Sequence, residues 1–312
     1  MTYRVLGSAS VFVLGLTLLA LGQESPAGQA GAAAGPGGEL GQQGQQAGQR
    51  GQRGQRAPAR PTPRWPDGRV NLGPPSGEVG VWLPGAGGAE RLVDPDNPNA
   101  GPAEFTTPPG PQFPGKPKVR DIPFQPWAKA LYTYRRENQF EPHTRCKPSG
   151  GPRQFLTPYG VEFVDLPDLK RVYIYDIGGP HTYRIIYMDG RSHPKDLIPS
   201  YYGDSIGHWD GDTLVADTVG FNEKFWIDRQ GLPHTEQLHM IERFTRTDMN
   251  TMKYEVTIDD PGAYTATWSA GFFLRWQPGQ EMFEYVCQDN NKAPELMLGA
   301  ENSVDRSSRI AP

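Results

Sequence analysis

The residue types most able to do chemistry lie together in one run, His234-Thr235-Glu236-Gln237-Leu238-His239-Met240-Ile241-Glu242-Arg243-Phe244. In an extended strand alternate residues share a face. His234, Glu236, Leu238, Met240, Glu242 and Phe244 then point one way, and His239, Ile241, Arg243 and Thr245 the other. If the Leu/Met/Phe face turns inward, Glu242 sits in an apolar cavity with His234 and Glu236 at its mouth. Burial raises the pKa of a carboxyl group, so Glu242 would be the general acid or base, supported by His234, Glu236 and His239. The same His234, Glu236 and His239 have donor atoms suited to zinc. They lack the His-Glu-x-x-His spacing, however, and strand parity separates His239 from the other two. A purely structural reading also fits: a surface loop entering a strand, with Glu242 and Arg243 pairing across strands.

Two further clusters could hold a ligand. In Met188-Asp189-Gly190-Arg191-Ser192-His193-Pro194, Asp-Gly closes a turn and the residue before proline is held extended. Asp189, Arg191 and His193 would meet an anionic or sugar-like ligand at a rim, or Arg191 would simply fix the rim's shape. A third run extends from Gly203-Asp204-Ser205 to Leu214 and on through Asp217, and within it Trp209-Asp210-Gly211-Asp212 reads as a hairpin turn rather than a calcium loop. Ser205, His208 and Asp212 have the composition of a catalytic triad, but no Gly-x-Ser-x-Gly elbow accompanies them. His208, Trp209 and Trp226 belong to a dense aromatic population able to line a pocket for a flat ligand. The chain has no P-loop, dinucleotide fingerprint or Cys-x-x-Cys, so no cofactor is expected. A formal net charge of −4 gives no field favouring nucleic acid.

The elements that must position these groups are short strands. Alternation and turn residues predict strands over 160–165, 171–177, 182–188, 205–209, 213–219, 238–246, 252–259, 265–274 and 282–287. Tyr254, Val256 and Ile258 alternating with Lys253, Glu255 and Thr257 illustrate the period of one buried and one wet face. Nine strands without intervening helices predict a mainly β fold: a single antiparallel sheet, curled or closed as a lipocalin-like barrel. A two-sheet sandwich is the alternative. One helix precedes them, Pro126 to Asn138, with Trp127, Ala130, Leu131 and Tyr134 as its apolar stripe.

The rest of the chain reads as delivery and tether. Arg4, the apolar run to Leu21 and the small-x-small Ala20-Leu21-Gly22 predict a signal peptide over 1–22. A retained anchor is the alternative. Residues 23–64 form a Gly/Gln/Arg-rich flexible linker, with a solubilising basic run Arg50, Arg53, Arg56, Arg60 and Arg64. Residues 65–123 are an extended Pro/Gly-rich arm anchored by Trp82, Leu83, Phe105 and Phe113. The β-rich domain spans 124–295, and 296–312 is a tail. The protein is expected in the periplasm or outside the cell, with no stable membrane span after cleavage. There Cys146 and Cys287, the only cysteines, either pair or remain two buried thiols.

Three strings carry a family resemblance: Tyr187 to Pro194 (YMDGRxHP), Gly207 to Val215 (GxWDGDTLV) and Leu238 to Arg246 (LHxxERFTR). Over about Pro123 to Asn290 the chain resembles a widespread, uncharacterised family of exported bacterial proteins. The resemblance implies that the three strings act together in one fold and brings no activity with it. More remotely, the strand series is similar to lipocalin-like folds, an analogy of fold alone. The expected function is that of an exported small-molecule-binding β-domain. Proton-transfer chemistry of lyase or isomerase type on a hydrophobic, aromatic or glycosidic compound is its active form. A non-catalytic envelope carrier or matrix-interaction protein, and a metal-dependent hydrolase, are the alternatives.

Overall fold

The computed structural model describes residues 59–84, 91–94, 115–178 and 182–287, all within the compact unit Arg56–Pro312. The signal segment, most of the Gly/Gln linker, Phe105, Phe113 and the 296–312 tail lie outside the described residues. Nine strands close into a barrel in chain order. They are β1 (Gly80–Pro84), β2 (Val161–Leu166), β3 (Arg171–Asp176), β4 (Thr182–Tyr187), β5 (Asp204–Asp210), β6 (Thr213–Val219), β7 (His239–Asp248), β8 (Thr251–Asp259) and β9 (Trp268–Pro278). The mainly β, closed-barrel architecture is the one the alternating pattern predicts.

Two features of the strand set differ from expectation. Residues 282–287 form no strand; the ninth place is taken by β1, from the arm, which pairs with both β2 and β9. Five residues flanked by Pro and Gly give little strand signal, and tertiary packing decides the matter. Trp82, fully buried, stacks edge-on against Trp276 with ring centroids 5.3 Å apart and donates its indole N–H to Leu72 O at 2.7 Å. The 282–287 segment is held instead by the Cys146–Cys287 disulfide and by Tyr285 packing on Tyr159.

The sheet is also not wholly antiparallel. β4 and β5 run parallel (Ile186 opposite Ser205, Tyr187 opposite Ile206), while every other neighbouring pair is antiparallel. Closure dictates this: around a ring of nine strands the direction cannot reverse at every step. The long connection over 188–203, which carries Asp189, Arg191 and His193, is the crossover this requires.

Side chains fill the lumen. Met240 and Phe244 of β7, Met252, Tyr254, Val256 and Ile258 of β8, and Ala270, Phe272 and Leu274 of β9 join one buried cluster. A short 3-10 helix, Gly151–Leu156, is buried along its whole length and sets Phe155 against Phe163, Phe244 and Tyr254 at 4.9–6.3 Å. The arm seals one end. Arg246 packs against both Trp82 and Trp276 and donates to Asn71 O, Gly73 O and Met249 O at 2.7–2.8 Å. Here the arm crosses so close that a Cβ on Gly73 would lie 2.3 Å from Phe163 O.

Helix α1 (Pro126–Asn138) packs near the opposite end, but with a different stripe from the predicted one. Ala128 and Tyr132 are buried, whereas Trp127 and Tyr134 are exposed. Tyr132 meets Phe124, which in turn meets Tyr264, both at 5.5 Å. Trp127 stays at the surface by donating its indole N–H to Gly262 O, while Arg135 takes the inward position and lies 4.9 Å over Trp226. An arginine stem covers apolar surface well enough to mislead a hydrophobicity count.

Candidate functional site

Strand β7 sends its two kinds of polar residue to opposite sides of the wall. Met240, Glu242, Phe244 and Arg246 are buried on the lumen side; His239, Ile241, Arg243 and Thr245 are only partly covered on the outer side. Glu242 is 0% exposed and both its oxygens are occupied. Oε1 accepts from the Tyr254 hydroxyl at 2.8 Å, and Oε2 is ion-paired with Arg184 of β4. Arg184 also donates to Ser205 Oγ at 2.9 Å and to Thr218 Oγ1 at 2.7 Å; Thr218 in turn donates to Ser205 at 3.0 Å. Burial, reinforced by the neighbouring carboxylate, pushes the Tyr254 phenol well above its ordinary pKa, so it remains a donor. This network knits β4, β5, β6, β7 and β8 together inside the barrel. Its chemistry is that of a buried, hydrogen-bonded ion pair.

His234 and Glu236 do not join it. β7 begins at His239, so both residues lie in the preceding loop, where strand parity does not apply. His234 is buried against Phe225, ring centroids 4.2 Å apart, with its two ring nitrogens facing Thr235 O and Phe225 O. Burial lowers its pKa to about 4, which keeps the imidazole neutral. Glu236 is exposed, and its backbone N–H donates to Glu223 at 3.2 Å.

The outer wall carries a second, more accessible cluster. His239 Nε2 lies 2.8 Å from Asp217 Oδ1, and His193 Nε2 lies 3.3 Å from the same oxygen. His193 Nδ1 is 2.7 Å from Asp204 Oδ1. Two imidazoles thus converge on one carboxylate, from the crossover, β5, β6 and β7. Asp204 and Asp217 fall within the third polar run of the sequence, but the residue pattern assigns neither of them a role. The available signal for Asp217 was its place on the outward register of β6, an otherwise largely buried strand. Among the described residues, no three His, Cys, Asp or Glu side chains are arranged to hold a metal ion.

The remaining candidates divide between two places. His208 and Trp209 line a cleft of about 490 Å³ at the barrel mouth, together with Met188, Arg69, Lys170 and Arg171. A smaller lobe of about 230 Å³ adjoins it beneath the arm's turn at Trp65, sharing Arg69, Asp165 and Pro167. Asp189 and Arg191 flank Gly190 of this rim. They pair with each other at 2.6 Å, and the guanidinium lies 4.0 Å over Tyr187. Trp226 is buried under Arg135, in a different part of the molecule from Trp209, and His193 belongs to the outer-wall cluster. The arm is fastened across this mouth by Arg64 to Asp212 and Arg69 to Asp165. Residues 60–64, predicted as the end of the tether, therefore lie on the barrel, with Arg60 paired to Glu78.

Fold and site together define a closed, core-filled nine-stranded barrel with a polar and aromatic cleft at one mouth. No family model, curated protein or solved structure matches the chain. Among the described residues, no helix is long and apolar enough to cross a membrane.

Proposed function

We propose that this is an exported protein that binds a small organic ligand at the barrel mouth rather than in the lumen. The observation that carries the reading is the 490 Å³ cleft, in which Met188 and Trp209 provide apolar surface beside several polar groups. Small-molecule sites have this size and composition. Lumen side chains are committed to the core. Export is supported by the apolar run ending in Ala20-Leu21-Gly22 and by the Cys146–Cys287 disulfide, a bond that persists in oxidising compartments.

Methionine-methyl NMR tests the location. Met188 reports on the cleft, while Met240 and Met252 report on the lumen. A panel of aromatic and glycosidic compounds is expected to yield ligands that move the Met188 methyl signal and leave the other two unchanged. Ligands that move Met240 or Met252 instead overturn the reading.

A second reading is favoured by the pair of imidazoles on Asp217: proton transfer at the outer wall. His239, partly open to solvent, would exchange the proton, and Asp217 would hold the ring in place. Of the four catalytic candidates, His239 alone is a partly exposed titratable group paired with a carboxylate.

A further inference from the structure

We infer that the mouth cleft takes an organic anion, an aromatic or alicyclic body bearing a carboxylate or sulfonate. This rests on the cleft being the ligand site. The argument is one of charge matching. Four arginines around this mouth already have acidic partners: Arg64 with Asp212, Arg69 with Asp67 and Asp165, Arg191 with Asp189, and Arg243 with Asp210. The pairs of Arg64, Arg191 and Arg243 are close to neutral as seen by a ligand, and Arg69, shared by two aspartates, leaves one negative charge over.

Lys170 and Arg171 are different. Both line the cleft, and neither has a carboxylate partner among the described residues. Arg171 reaches only the Tyr173 hydroxyl, at 3.4 Å, and the face of the Tyr187 ring, at 5.4 Å. Lys170 is exposed, and among the described residues its side chain makes no hydrogen bond or ion pair. Asp168, two residues earlier, does not line the cleft. Asp165 does, but its carboxylate is held by Arg69 at 2.7 Å. The cleft is therefore left net positive: Lys170 and Arg171, neighbours without acid partners among the described residues, outweigh the one carboxylate left over on Arg69, and share the lining with the apolar Met188 and Trp209.

The local backbone keeps Lys170 in place. It caps the short 3-10 turn Pro167–Leu169 with φ 48° and ψ 53°, in the left-handed region that non-glycine residues seldom occupy. Its N–H donates to Pro167 O and its C=O accepts from Met188 N, tying the lysine to the opposite lip of the cleft. Strained backbone of this kind persists where surrounding contacts over-determine it, and it clusters at ligand sites. A ligand anion would meet Lys170 as a mobile point charge and Arg171 as a fixed planar donor.

The test uses two fluorescent probes of similar shape and opposite character: anionic anilinonaphthalene sulfonate and uncharged phenylnaphthylamine. Binding to the full chain is titrated by fluorescence, with the Met188 methyl signal reporting on location. The anionic probe is expected to bind at Met188, at least about tenfold tighter than the neutral one. Its affinity should fall by about tenfold in Lys170→Glu and fall further as sodium chloride is raised, because screening acts on exposed charges. Lys170→Gln should give an intermediate loss, and neutral-probe binding should change by less than about twofold throughout. Equal binding of both probes at Met188, or an anionic probe indifferent to Lys170→Glu, overturns the anion assignment and leaves the cleft as a ligand site. Failure of both probes to reach Met188 overturns the cleft reading itself. Lys170 is exposed, so folding of the variants is not at issue.

Discussion

On the two faces of one strand, the protein puts titratable groups to opposite uses. Glu242 and His239 are three residues apart in β7, one sealed in the lumen and the other partly open to water. Inward, the carboxylate is enclosed by Arg184, Tyr254 and an aromatic core, with every oxygen occupied. Outward, the imidazole shares Asp217 with His193 at the surface. The difference teaches that a polar residue on an apolar strand face is not by itself a reactive group. Whether it does chemistry depends on what else arrives in the same place, and here an arginine from β4 arrives.

The comparison is broken most severely by removing one partner of the buried pair. Glu242→Ala should leave Arg184 buried and uncompensated and lower the unfolding free energy by about 3–5 kcal/mol, measured by urea denaturation. Replacing both together, Glu242→Leu with Arg184→Met, should recover much of that loss. A single variant costing under about 1 kcal/mol would show that the pair is not closed off as described.

A smaller effect, and a sharper one, follows from His234. Its folded-state pKa of about 4 lies below the ordinary histidine value of 6.5, so in that interval the unfolded chain binds more protons. Its contribution is complete above pH 6.5 and is lost as pH falls towards 4, up to about 3 kcal/mol. His143, also lowered to about 4 by burial, acts in the same direction. Asp228, raised to about 6 by burial, acts in the opposite one: its contribution is lost as pH rises through 6. Thermal melts between pH 4 and 6.5 should therefore show a flatter acid limb in His234→Asn and a steeper one in Asp228→Asn.

The least effect belongs to the outer wall. His239→Ala should change stability by no more than about 1 kcal/mol, as expected for partly exposed pairs. Asp217→Asn should move the ring NMR signals of His193 and His239 together while leaving those of His234 in place. Independent responses of the two rings would remove the shared-carboxylate geometry.

Several of these arrangements were legible before any coordinates. Alternation in 252–259 and 238–246 announced strands and assigned Glu242 to the Leu/Met/Phe face, because a period of two is a local property. The same argument failed for His234 and Glu236, since the strand starts only at His239 and parity has no meaning in a loop. It also missed β1, whose few residues become a strand only when β2 and β9 offer their edges. Lys170, Arg171, Arg69 and Met188, which make up much of the cleft, are scattered over some 120 positions and look like ordinary surface and core residues in sequence.

What the amino-acid order determined by itself was the alternation, the turns and therefore a β-rich fold with one face of each strand buried, because these depend on neighbours a few residues apart. Which strand closes the ring, which arginine meets Glu242, and which cations are left without acids were decided only in three dimensions. Those outcomes depend on residues brought together from distant parts of the chain, and pairing across such distances is set by closure of the barrel and by the competition of charges around its rim.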